Sequence, residues 1–499
     1  MKKSTINNRG AGFFALSALI FIFPARINSE VEINAREVGA VIDFGEIRDG
    51  KVDAGDAKGE TLTRTAVYLT SSGTYDQKLS IHVTIGGLFW YPAKPNETTP
   101  ERLVRFGPGV GQAQGTYSFG APENPSAKLQ FGLFPIKYNP DANNLGEYLY
   151  RSGTYPGYIW TGGWSYVNSA SYLAQGLRFS LFSFGGKFTS DFSLFMERDN
   201  EPTNDFSPGY IATVRPVSFL EIGAGVVWSH GLSLKSSRLS PETRLNAYDQ
   251  RTQQPLNLND RNNSPGYVFY GFGDARSDTM VVPDGDLRVG NFDSRNLQYV
   301  DTTQNGTPRN FLGYYTFKGF KTMARASVDM GSLLGINSMH PGDFKLYAEA
   351  ALLGVENQPF YYEKKSERMP MMFGINIPTF GLLTRFAFEA EYHKSRFPNA
   401  IGLEYDREVP LPLDGESTNP FDYSDSAIAV DTTGKFSKDD WHWSLYASRK
   451  ITAGVTLCAQ AASDHGRHYP NPEVKPTSQP TTIKPSDWYY IIRLEFGLF

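Results

Sequence analysis

The stretch SDWYYIIRLEFGLF, residues 486–499, alternates apolar and polar side chains and ends on an aromatic residue. Every second residue from Trp488 to Phe496 is apolar or aromatic, while Arg493 and Glu495 lie between them. This period of two predicts a β-strand with one apolar and one polar face. In a soluble protein such a strand would leave an open edge that invites aggregation. A closed membrane barrel has no edge, because lipid covers its apolar face, so the stretch favours a transmembrane β-barrel.

The same alternation recurs along the chain and rules out a helical membrane protein. Connections between the predicted strands are alternately short and long, as in barrels whose two rims face different compartments. We predict an all-β fold, one transmembrane antiparallel β-barrel of about 16 strands with short periplasmic turns and long extracellular loops; fourteen or eighteen strands are the alternatives. The strands are predicted near 37–47, 62–70, 78–90, 111–120, 126–138, 172–184, 186–197, 208–216, 219–229, 311–330, 343–355, 370–378, 381–393, 441–449, 452–462 and 486–499. The long connections are predicted near 139–171, 229–309, 356–368, 394–440 and 463–484.

The composition is compatible with such a barrel and argues against several other classes. Hydrophobic residues make up 40% of the chain and the mean hydropathy is −0.37, which fits a barrel because only half of each strand meets lipid. The net charge of −4 gives no support for a nucleic-acid partner. Cys458 is the single cysteine, which excludes an intramolecular disulfide and Cys-rich metal clusters. We predict no metal and no cofactor.

The amino-terminal residues predict an export signal. Lys2, Lys3 and Arg9 precede or flank the apolar run from Phe13 to Phe23, which is long enough for a signal peptide but short for a transmembrane helix. A short buried helix of a soluble protein is the alternative. The predicted organisation is therefore a signal peptide over 1–29 and a barrel over 30–499.

Motifs for catalysis are not evident. Asp464, His465 and His468 lie close together, but no nucleophile elbow, zinc-protease motif or phosphate loop accompanies them. We predict that the protein is not an enzyme; a site assembled from distant strands is the alternative.

The predicted inward faces carry charges of both signs. They favour either a charged water channel with a transverse field or a set of wall ion pairs that only stabilise the barrel. The segment 131–164, rich in Tyr, Gly and Pro, either folds into the lumen and narrows it or packs outside as an aromatic loop. The candidate pore-lining residues are Arg64, Lys128, Glu147, Arg151, Arg178, Arg325, Lys345, Arg385, Glu389 and Arg493.

The export signal, the alternating strands and the terminal Phe499 together resemble the porin-like outer-membrane β-barrel proteins of Gram-negative bacteria. Gly497 departs from that pattern, since an apolar or aromatic residue is usual there, and Phe499 is out of phase with Phe496. The resemblance implies an outer-membrane location, contact with membrane lipid, the barrel assembly machinery as a partner and, by analogy, a homotrimer.

We therefore predict a porin-like channel for passive diffusion of small hydrophilic solutes. Two alternatives belong to other classes. One is a structural or adhesive outer-membrane barrel with a plugged lumen, and the other is a secreted β-rich carbohydrate-binding protein.

Overall fold

A computed structural model describes the strands, the short connections and parts of the long ones. The predicted signal peptide, residue 30 and most of the predicted long connections lie outside the described residues. The described ranges are 31–49, 51–52, 55–56, 63–91, 105–121, 123–154, 172–197, 205–232, 248–249, 267–270, 279–282, 319–336, 338–355, 365–394, 441–463, 480–481 and 488–498.

Sixteen antiparallel strands form one closed barrel, which confirms the predicted fold. Each strand pairs with its neighbour in the chain, and the first pairs with the last. The strands are β1 (Val31–Asp49), β2 (Thr63–Tyr75), β3 (Leu79–Tyr91), β4 (Arg105–Ala121), β5 (Asn124–Ile136), β6 (Tyr172–Ser183), β7 (Phe188–Met196), β8 (Phe206–Val217), β9 (Leu220–Ser229), β10 (Gly319–Asp329), β11 (Lys345–Leu353), β12 (Met371–Asn376), β13 (Arg385–Tyr392), β14 (Trp441–Thr452), β15 (Val455–Ala462) and β16 (Trp488–Leu498).

Smaller elements accompany the barrel. The helices are α1 (Tyr148–Arg151), α2 (Met330–Leu333) and a 3₁₀ turn at Lys365–Arg368. Two three-stranded antiparallel sheets are formed by Pro480–Thr481, Lys51–Val52 and Gly55–Asp56, and by Tyr248–Asp249, Tyr267–Tyr270 and Thr279–Val282. None of the helices in the described ranges is long and apolar enough to cross a membrane.

The ladder between strands sorts the connections onto two rims. Val31 pairs with Tyr75 at the end of β2, and Leu498 pairs with Val38, so the start of β1 and the end of β16 lie at the rim that carries the short turns. The strand ends that the predicted long connections join all lie at the opposite rim. We call the rim that carries the short turns the turn rim. Its longest connection joins β10 to β11, where the Asp329 carboxylate accepts the backbone N–H groups of Ser332 and Gly342, at 2.8 Å each.

Polarity on the two faces of the barrel is the reverse of that in a soluble sheet protein. Outward side chains are apolar and exposed, whereas inward side chains include many buried polar and charged groups. A one-residue slip of register would exchange the two sets and expose arginines to lipid at about 2–4 kcal/mol each near the midplane. Outward examples are Phe44, Leu69, Ile85, Phe131, Leu177, Phe192, Ile222, Phe320, Phe373, Leu445 and Ile492. Inward examples are Asp43, Thr84, Gln112, Ser180, Glu221, Arg325, Glu349, Glu389, His442, Gln460 and Arg493.

Candidate functional site in the barrel lumen

The chain folds into the barrel immediately after β5. Residues 139–154, which we call the lumen segment, are almost all buried, and their apolar side chains pack on inward-facing wall residues. This confirms the inward interpretation for these residues, whereas 155–171 lie outside the described part of the chain. The segment contributes Ala142, Leu145, Tyr148 and Leu149 to an apolar cluster whose wall members are Ile211, Val227, Met323, Tyr347, Ala351, Leu353 and Met372.

Glu389 on β13 holds the first half of the lumen segment. One carboxylate oxygen accepts the backbone N–H of Asn143, and the other accepts those of Asn144 and Leu145, at 2.8 and 2.9 Å. The Tyr347 hydroxyl donates to the same carboxylate at 2.9 Å. Glu389 is only 1% exposed. A buried charge needs such donors, because an ionised carboxylate without them is costly in a low-dielectric interior.

Glu349 on β11 holds the start of the segment and the start of helix α1 in the same way. Its carboxylate accepts the Tyr138 hydroxyl at 2.6 Å, the side-chain amide of Asn139 at 2.8 Å and the backbone N–H of Tyr148 at 3.1 Å. Glu147 lies within the segment, where its carboxylate accepts the backbone N–H of Asn139 at 3.2 Å. The carboxylates therefore bind main-chain N–H groups of the segment, so they fix its path as well as its charge environment.

Basic wall residues contact the segment from the same side of the barrel. The Lys345 ammonium lies 2.7 Å from the Asp141 carboxylate. Arg385 donates to the side-chain oxygen of Asn143 at 3.3 Å. Further along, the Lys321 ammonium donates to the backbone carbonyl of Ser152 at 2.8 Å.

Helix α1 lies near the end of the part of the segment that the wall residues hold. Gly146, with φ of +83°, and Glu147, with φ of +59°, turn the chain into the helix, and the Arg151 guanidinium donates back to the Gly146 carbonyl. Tyr148 lies close to Glu391 on β13. Burial raises the pKa of the Tyr148 phenol well above its usual value, and the negative charge of Glu391 adds to the rise. The phenol is therefore neutral at physiological pH.

Tyr150 of helix α1 packs against strand β7. Its ring packs on Phe195 at 5.3 Å between centroids, and its hydroxyl lies 3.2 Å from the Ser193 hydroxyl on β7. The segment thus contacts strands from β7 to β13, which form one side of the barrel. It is fastened along that side of the lumen.

Two further charge clusters lie on the wall. Arg178 on β6 pairs with Asp191 on β7 at 2.9 Å, with both side chains partly exposed. Glu221 on β9 accepts from Arg215 and from Arg325, at 2.6 Å each. These ion pairs join neighbouring strands of the wall, and Arg178 and Arg215 remain partly or largely exposed within them.

The seam where the barrel closes contains a buried ion pair. Arg493 on β16 donates through two nitrogens to the two oxygens of Asp43 on β1, at 2.6 and 2.9 Å. Both side chains are 1% exposed. This two-pronged geometry gives a strong, oriented contact between the first and last strands.

The structure distributes the ten candidate pore-lining residues over several places. Glu147, Arg151, Lys345, Arg385 and Glu389 meet at the lumen segment, where Glu147, Arg151 and Glu389 are buried. The remaining residues are dispersed: Arg178 and Arg325 lie in the wall clusters, Arg493 lies at the seam, and Lys128 is exposed on the wall. The side chain of Arg64 lies outside the described part of the structure. Pore lining by these residues stays a prediction.

Sequence reasoning missed the residues that carry most of the fastening. Glu349 is absent from the ten candidate residues, although the alternation of β11 places it on the inward face, and the sequence predicts no role for Tyr138, Asn143, Tyr347 or Lys321. A carboxylate in the middle of an otherwise apolar, alternating strand is the signal that could have singled out Glu349 beside Glu389. Within the described ranges, no cluster of three or more His, Cys, Asp or Glu could hold a metal ion.

Comparison with known proteins gave matches among solved structures alone. No protein-family model matches the chain, and a search of curated proteins found no match. Salmonella typhi OmpF in complex with daunomycin is 9% identical, with a TM-score of 0.41, over 93% of this chain and 97% of that one. A triple mutant of Rhodopseudomonas blastica porin is 8% identical, with a TM-score of 0.38, over 93% of this chain and 99% of that one. The closed sixteen-stranded barrel of this chain is established by its own strand pairing.

Proposed function

We propose that the protein is a passive channel for small hydrophilic solutes across the outer membrane, exported by a signal peptide over 1–29. The observation that supports this most strongly is the reversed polarity of a closed barrel, apolar outside and charged inside. Lipid is the environment that suits such an outer face, and sixteen strands enclose a lumen wide enough for water unless it is filled.

The lumen segment supplies the constriction. Its contacts with β7 to β13 place its bulk along one side of the lumen, which favours a narrowed channel over a plugged barrel. Exposed or partly exposed basic side chains, among them Lys128, Arg178 and Lys345, are available to act on passing solutes. Selectivity would then depend on the charge and width of the space beside the segment.

Single-channel recording in planar bilayers tests this function. Purified protein that shows heat-modifiable gel migration should give stepwise conductance, with current roughly proportional to salt concentration. Folded protein that inserts into bilayers and conducts nothing would support the plugged structural barrel instead. Channels should also let small sugars enter protein-loaded liposomes, and a failure of solute entry despite ion conductance would restrict the function to ions.

A further inference from the structure

The turn rim carries an uneven distribution of apolar side chains. The five successive turns of this rim from β6–β7 to β14–β15 carry exposed apolar residues at their tips or at the adjoining strand ends, and Phe184 and Phe380 are 83% and 78% exposed. The turns β2–β3 and β4–β5 have polar tips at Asp76, Gln77 and Glu123, and Tyr75 and Phe119 in the adjoining strands are 39% exposed each. We call the first set the apolar arc; its other exposed members are Val217, Leu333, Leu334, Leu382 and Ile451.

Two of the apolar tips have an unfavourable backbone conformation. Phe184 and Phe380 have φ of +54° and +52°, in the left-handed region that bulky residues rarely adopt. Gln77 has the same conformation, with φ of +53°, in the polar turn β2–β3. Asn, Asp or Gly usually occupies such turn positions. A phenylalanine that has a strained backbone and an exposed side chain has no role in packing the barrel itself.

Two observations indicate what covers the apolar arc. The outward apolar column of β12, which includes Met371 and Phe373, continues through Ile377 to Phe380, so the arc is continuous with the lipid-facing surface. Exposed basic residues also flank the tips: Lys187 follows Phe184, and Arg449 and Lys450 precede Ile451. Apolar side chains next to basic ones suit the boundary between acyl chains and phosphate headgroups.

We propose that the apolar arc is embedded in the phospholipid headgroup region of the leaflet on the turn side, while the polar tips of the turns β2–β3 and β4–β5 stay in water. The turn rim is therefore an asymmetric membrane-anchoring surface. This inference rests on the membrane placement in the proposed function and adds a specific lipid contact to it.

Site-directed spin labels on the complete mature chain test the proposal. The single cysteine is first removed with Cys458→Ala, and nitroxides are attached to F380C, L382C, Q77C and F373C variants. Each variant is checked for heat-modifiable migration and reconstituted into phosphatidylethanolamine–phosphatidylglycerol vesicles. Collision rates with oxygen, which concentrates in lipid, and with a water-soluble nickel chelate are then measured.

Labels at Phe380 and Leu382 should show a higher oxygen-to-nickel ratio than the label at Gln77, which is the matched control because its backbone conformation is the same. Equal ratios at Phe380, Leu382 and Gln77 would overturn the proposal. Low collision with both reagents at Phe380 would also overturn it, since a protein partner or second copy would then cover the arc. The label at Phe373 tests the membrane placement of the barrel separately from the arc proposal. If it too favours the nickel chelate, the membrane placement itself is wrong; if it favours oxygen while Phe380 does not, only the arc proposal fails.

Discussion

The carboxylate of Glu389 offers the sharpest test of how the lumen segment is held. We consider Glu389→Gln, which preserves shape and removes one acceptor oxygen. In the native protein one oxygen accepts the N–H groups of Asn144 and Leu145, and the other accepts the Asn143 N–H, the Asn143 side-chain amide and the Tyr347 hydroxyl. A glutamine amide oxygen can accept one of these two sets of donors, but its NH₂ group then faces the donors of the other.

The magnitude follows from the hydrogen bonds that the glutamine amide cannot accept. A hydrogen bond to a charged group contributes about 1.5–3 kcal/mol, and a buried donor left without an acceptor costs about 1–3 kcal/mol. Loss of two such bonds therefore predicts that local opening of the segment becomes easier by roughly 3 kcal/mol. Since every 1.4 kcal/mol is a factor of ten, the population of the open segment should increase about a hundredfold.

Amide hydrogen exchange measures this population directly. In detergent-solubilised protein, exchange of the Asn143, Asn144 and Leu145 amides should accelerate about a hundredfold in the Glu389→Gln variant, while strand amides far from β13 keep their protection. Glu495→Gln is the matched control, because Glu495 faces the lumen on β16, partly exposed and paired with Arg493 at 3.6 Å. Unchanged exchange in the segment, or equal acceleration in both variants, would refute the view that Glu389 fastens it.

Three further predictions use other parts of the lumen. Burial raises the pKa of Tyr150 from 10.0 to about 12. The stabilisation from its neutral phenol should therefore be present below pH 10 and lost as the pH rises through about 12. Absorbance titration should show a phenol that ionises at high pH and that Tyr150→Phe removes. Lys345→Glu should shift the reversal potential in a salt gradient toward cation selectivity, and it should increase current noise because the new carboxylate repels Asp141 of the segment. Lys128→Glu should shift the reversal potential without added noise. Equal noise in the two variants would contradict this. Arg493→Ala removes the guanidinium that pairs with the buried Asp43 carboxylate and should cost about 3–5 kcal/mol, whereas Arg178→Ala breaks a partly exposed pair and should cost at most about 1 kcal/mol. The temperature at which gel migration changes measures both losses, and similar losses would refute the role of burial.

The fold could be predicted because strand periodicity is a local property. Side-chain alternation in β11 and β13 assigns Glu349, Glu389 and Glu391 to the inward face, and the structure confirms that assignment. Boundaries are less certain. Alternation predicts a strand over 381–393, but β13 begins at Arg385, because the Thr379 hydroxyl bonds both the N–H and the carbonyl of Leu383 and closes a turn before it.

The lumen site could not be predicted to the same extent, because its contacts join residues far apart in the chain. Alternation shows that Glu389 faces inward, but it does not show that the N–H of Leu145, 244 positions away, lies against it. The sequence therefore predicts Glu389 only as an inward-facing, pore-lining candidate. The structure shows a buried acceptor of main-chain hydrogen bonds, a role that depends on where the segment folds.

The hydrogen bonds that Glu349 and Glu389 accept bear on how the proposed channel would select solutes. Glu349 and Glu389 are occupied by donors of the segment, so moving the segment would require breaking several bonds to charged acceptors at about 1.5–3 kcal/mol each. Opening on the timescale of a passing solute would be rare at that cost, and the width of the lumen is set by a fixed wall and a fixed segment. Discrimination between solutes then depends on charges that still reach water, such as Lys128 and Arg178, and on the geometry they leave.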